Sequence, residues 1–84
     1  MTESISEVRA ALAAVAESLG SADRHARIAR ERLEEAVAVL TALDGEHSES
    51  LVPPQLHRAS EVLDHGLVAI GGGRDAVADL DARL

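Results

Sequence analysis

Apolar residues recur along the first half of the chain in steps of three and four without a slip: Ile5, Val8, Leu12, Val15, Leu19, Ala22, Ala26, Ala29, Leu33, Ala36, Leu40 and Leu43. Such steps return to one side of an α-helix, so the run predicts a single long helix over about 4–43 carrying a coiled-coil-like seam. Ser4 followed by Glu7 has the spacing of a capping box and sets the expected start. Asp44 and Gly45 set the expected stop, because glycine readily leaves the helix. Gly20 lies outward in this frame, where it weakens the helix by about 1 kcal/mol without interrupting the seam.

The stretch DGEHSESLVPP, residues 44–54, is polar, acidic and ends in proline, and reads as a connector. Pro54 suits a first helical turn, which has no use for the missing N–H. A second frame then runs to the last residue: Leu56, Ala59, Leu63, Gly66, Ile70, Gly73, Val77, Leu80 and Leu84. The expected fold is all-α, an antiparallel two-helix hairpin of about 4–43 and 54–84, forming one domain over 1–84. Within the second helix, AIGGGRDAV at 69–77 places three glycines in a row. Gly73 falls on the seam and Gly71 and Gly72 do not, so the expectation is a continuous but weakened helix with a hinge-prone point beside a close helix contact.

Folding the chain back at the connector sets Gly73 near His25 and Ala26, and Gly66 near Ala29 to Leu33, small against small. About ten residues at the start of the first helix then extend past the second, leaving Ile5, Val8 and Leu12 uncovered. Val37, Val39, Leu67 and Val68 widen the apolar stripe beyond what one helix pair buries. Association follows as an expectation: two hairpins in a four-helix bundle, most simply a homodimer, otherwise with a different helical partner.

Composition sharpens this picture. At 84 residues a single core is marginal without help from metals, disulfides or association, and the chain has no cysteine. It also has no Phe, Tyr or Trp, so its core is aliphatic, and base stacking and aromatic cages lose their usual side chains. A formal charge of −7 argues against nucleic acid and anionic membrane as partners. No apolar run reaches the ~20 residues of a membrane span, and MTESISEV lacks the features of a signal peptide. The expected location is cytoplasmic, with export by a route that cleaves no signal compatible with the same sequence.

The candidate chemistry is sparse. His57, Glu61 and His65 recur every four residues with Asp64 beside them, a spacing that brings side chains together and suits a transition metal. They lie outward in the frame, where a solvated, ion-paired face is the plainer reading. Arg24, Arg27, Arg30 and Arg32, with His25, form the only basic cluster. It suits docking of an acidic partner or, more simply, pairing with Glu31, Glu34, Glu35 and acids of the second helix. The glycine run lacks the lysine of a P-loop, and the chain has no lysine at all. If the helix broke there, Arg74 would open a new helix whose free N–H groups suit an anion. No strained nucleophile or deep pocket is foreseen, so neither enzymatic activity nor a cofactor is expected.

In layout, Ala-rich composition and short connection, the chain resembles the WXG-motif family of type VII secretion proteins and, more loosely, the small helical companions of actinobacterial polymorphic toxins. At the turn, where that family places Trp-x-Gly, this chain has Leu43, Asp44 and Gly45. Val77 and Asp81 keep the spacing of the family's C-terminal motif without its Tyr. The resemblance implies a hairpin that pairs with a second hairpin or with the N-terminal helices of a toxin.

Overall fold

The structure is a computed structural model that describes residues 2–45 and 49–84, with side chains described from Ser4 onward. Two helices, α1 (Thr2–Asp44) and α2 (Pro54–Arg83), pack antiparallel into a rod whose Cα extents are 69 × 15 × 14 Å. The all-α hairpin expected from the apolar spacing is therefore the fold. No helix among the described residues is long and apolar enough to cross a membrane.

The ends differ in detail from the sequence expectation. α1 begins at Thr2, so Ser4 lies inside its first turn and does not cap it. Gly45 follows the last helical residue without adopting a positive φ. The reversal is held instead by Asp44, whose carboxylate accepts from the Leu51 backbone N–H and, at 3.3 Å, from the Ser50 hydroxyl. Ser50 in turn accepts from the Val52 N–H at 3.3 Å. Pro53 is extended (φ −62°, ψ 140°), as the residue before a proline must be, and Pro54 opens α2. Part of the connector, residues 46–48, lies outside the described residues.

The glycine run is helical throughout: α2 passes through Gly71, Gly72 and Gly73 unbroken. Arg74 therefore opens no new helix, and the anion site that depended on a break there is removed. A methyl added at Gly71 or Gly72 would meet nothing within 4 Å, and one at Gly73 would touch Leu19 Cδ1 at an ordinary 3.5 Å. Inside the hairpin, none of the three is sterically required to be glycine.

That Leu19 contact also corrects the register. Gly73 lies against Leu19, not beside His25 and Ala26, and Leu12 shares a groove with Val77. α2 consequently reaches back as far as Arg9, which lines the same groove as Asp81. The uncovered overhang of α1 shrinks to its first two turns, and Leu12, expected to be bare, is half-buried. The shift arises because Asp44 ties down Leu51 and the half-buried Leu51 and Val52 sit against the hairpin, so the reversal is completed before α2 starts.

Candidate interaction surface

Leu19, Ala26, Leu33 and Leu40 continue the row begun at Leu12 and face α2 as half-buried side chains. Leu56, Leu63, Ile70 and Val77 answer them from the other helix. From such a core row, a step of four residues turns about +40° around the helix and a step of three about −60°. Because the helices run in opposite directions, the four-step rows of both fall on one side of the plane through their axes. The three-step rows fall on the other.

On the four-step side α1 places Arg9, Ala16, Asp23, Arg30, Val37 and Asp44, and α2 places Ser60, Leu67, Arg74 and Asp81. Asp23, Arg30, Val37 and Asp44 are half-buried there, and Leu67, at 9% exposure, is the single buried apolar residue among those described. This flank is charged and internally paired. Arg30 Nη1 donates across the hairpin to Asp64 Oδ1 at 3.4 Å and also lies 3.9 Å from Glu34. Arg27 Nε donates to Asp23 at 2.8 Å. That hydrogen bond, with further help from the charges of Arg27, Arg74 and Arg24, holds the Asp23 carboxyl below its ordinary value against partial desolvation. The same bond raises Arg27.

The three-step side carries Val8, Val15, Ala22, Ala29, Ala36 and Leu43 from α1, every one exposed. Ala59 and Leu80 of α2 are exposed on this side as well, with Gly66 and Gly73 half-buried between them. Half of the seam expected of α1 therefore does not face α2. The partner helix settles over the row containing Asp23 and Arg30, and the more apolar row points to solvent. Two details accompany this tilt. Gly20, expected to point outward, is buried, and Gly71, at the same level of α2, is half-buried on the same charged side. Leu67, expected only beside the seam, is the most buried apolar side chain among the described residues.

His57, Glu61 and His65 are all exposed, as their outward positions implied, but they do not converge. Eight residues of helix separate the two imidazoles by about 12 Å along the axis, too far for one ion to take both as neighbours. Among the described residues no group of three His, Asp, Glu or Cys side chains is placed to hold a metal. His25 is exposed, with Nδ1 2.7 Å from the Ser21 carbonyl oxygen, which places the proton on Nδ1. Two members of the basic cluster are drawn into ion pairs, Arg27 choosing Asp23 over the glutamates that follow it and Arg30 spanning Glu34 and Asp64. A shallow groove of about 310 Å3 lies on the charged flank, floored by Leu12, Ala16, Val77 and Ala78 and rimmed by Arg9, Arg74 and Asp81.

The layout is that of a bare helical hairpin with one flank closed by ion pairs and the other left apolar. No protein-family model matches the chain, and no curated protein or solved structure gives a significant match.

Proposed function

We propose that this protein is a non-enzymatic helical interaction module, which pairs through its apolar surface with another helical protein or with itself, in the setting of a secretion system or toxin module. One observation carries the reading: among the described residues Leu67 is the single buried apolar side chain, while Ile5, Val8, Val15, Leu43 and Leu80 among others stay more than two-fifths exposed. Monomeric soluble proteins rarely leave a contiguous apolar strip of this kind wet, because covering it removes apolar area from water at about 25 cal/mol per Å2. The secretion or toxin setting rests on the resemblance in layout and turn position described above. Sedimentation of the purified chain, together with affinity capture from its native cell, tests the reading. A stable monomer that captures no helical protein would overturn it.

A further inference from the structure

We propose that the apolar flank is the docking site for a second copy of this chain, α1 against α1 in antiparallel sense, about a two-fold axis close to His25. The inference rests on the interaction reading above and adds the face, the occupant and the arrangement.

Charge distribution supports the choice of face. The rows nearest this flank are those of Val8 and Ala11 on α1 and those of Ala59 and Val62 on α2. None of the fifteen Asp and Glu residues of the sequence falls in any of them. A solvated surface on a chain of net charge −7 would carry its share of carboxylates. Two copies meeting through any other side would bring their acids together. Meeting here, they desolvate no carboxylate and leave the like charges outward.

Self-complementarity supports the occupant. A two-fold interface requires each row to meet itself read backwards. The exposed row of α1 runs Val8, Val15, Ala22, Ala29, Ala36, Leu43, and reversing it sets Val8 opposite Leu43, Val15 opposite Ala36, and Ala22 opposite Ala29. Large side chains meet at the two ends, and small ones at the centre permit close approach. The midpoint lies between His25 and Ala26. A hetero-partner would be read chiefly by charge, and the ionic groups in these rows are confined to Arg32 and Arg83 in the outer two, with no carboxylate to set a charge pattern. Gly66 gains a reason in the same arrangement: a methyl there would meet nothing within 4 Å in the hairpin, yet glycine weakens the helix. Close approach of a second α2 accounts for it.

The area is sufficient. Thirty residues of α2 extend about 45 Å, and with a Cα cross-section of 15 Å the flank presents about 700 Å2 per copy, about 1,400 Å2 in total, the size of a standard stable interface.

Sedimentation and thiol crosslinking test the proposal on the full chain, which has no cysteine of its own. The wild-type chain is expected to sediment as a dimer. Ala29→Glu should weaken that dimer by more than about a hundredfold, because each copy then buries an unpaired carboxylate. Val68→Glu, a change at a 77%-exposed valine outside the flank, should leave it intact. With a short bifunctional maleimide, His25→Cys should crosslink to itself. Val8→Cys alone should not, since its copies lie about 50 Å apart, but a mixture of Val8→Cys and Leu43→Cys should. The crosslinking pattern reads the arrangement even if Ala29→Glu lowers helix content. A dimer in which Val8→Cys links to Leu80→Cys instead, or one broken by Val68→Glu and not by Ala29→Glu, overturns the proposal. So does a wild-type monomer. If that monomer captures a helical partner from the native cell, only the second-copy proposal falls. If it captures none, the interaction reading falls with it.

Discussion

The two flanks of the hairpin have similar dimensions and opposite characters. One carries Asp23, Arg30, Asp44, Asp64 and Arg74 and closes on itself through hydrogen bonds and ion pairs around a single buried leucine. The other carries valines, alanines, leucines and glycines, with Ser18, His25 and Arg32 along its outer edge and no carboxylate among its described residues. A lone two-helix rod would be expected to bury its most apolar rows between its helices. Here the helices meet over the core rows and lean toward the charged side, so apolar area is kept available. The difference teaches that the seam of this chain divides, one half closed within the hairpin and the other left exposed.

The largest test of that asymmetry is truncation on each side. Leu67→Ala should destabilise the hairpin by about 2 to 3 kcal/mol in chemical denaturation, at the low end for a buried leucine because the core is thin. Leu80→Ala, 41% exposed on the apolar flank, should change the stability of the dilute monomer little. Equal losses would show that the flanks do not differ.

Next in size is the glycine run. Gly72→Ala should stabilise the helix by about 1 kcal/mol, read as higher helix content and a higher denaturation midpoint, because its methyl meets no neighbour. Gly73→Ala should give a similar gain, since the contact with Leu19 at 3.5 Å is unstrained. A marked loss for Gly72→Ala would mean that the run is hinged in solution.

Smaller still is the ion pair across the charged flank. Asp64→Asn should lower stability by about 0.5 kcal/mol or less, since both partners are partly exposed and the pair is screened. Its effect should fade with added salt.

The smallest expected effect is one of pH. The Asp23 carboxyl is held below its ordinary value of 3.8, chiefly by the Arg27 hydrogen bond. Its contribution is therefore present above that value and lost as pH falls through the lowered one. Asp23→Asn should lower the neutral plateau slightly, flatten the acid limb and leave stability below the lowered value almost unchanged. A change confined to the acid end would point to another group.

Much of the fold was legible in the sequence because helical periodicity is a strong local signal. The extents of α1 and α2 follow the apolar frames to within two residues at each end, and the proline pair marks the start of α2. The continuity of the glycine run was legible for the same reason, the frame passing through Gly73 to Val77 and Leu80 without a slip. The register was not. It depends on how Asp44 gathers Leu51 and Ser50, a contact between the helix end and the connector that no periodicity encodes. The burial of Gly20, Leu67 and Gly71 was missed because they sit one step from the core row, on the side with fewer apolar residues. The signal that would have found them was available: Gly20 and Gly71 are both small and both one residue past a core position, Leu19 and Ile70.

The metal candidate shows a different limit. His57, Glu61 and His65 share a helix face by spacing, but sharing a face is not convergence, and the rise of the helix separates the outer pair. Only a second helix or a turn brings ligands to one point, and among the described residues no such group forms.

By itself the sequence determined two long amphipathic helices, their antiparallel return, a thin aliphatic core, and the absence of acids from one set of rows. These follow from local propensity and from the angular positions of residues along a helix. Tertiary structure alone decided which side of the core rows closes within the hairpin, because two rows flank each core row and apolar content does not say whether α2 or a partner will cover them. That choice left the row from Val8 to Leu43 exposed, and with it the surface on which the protein's proposed role depends.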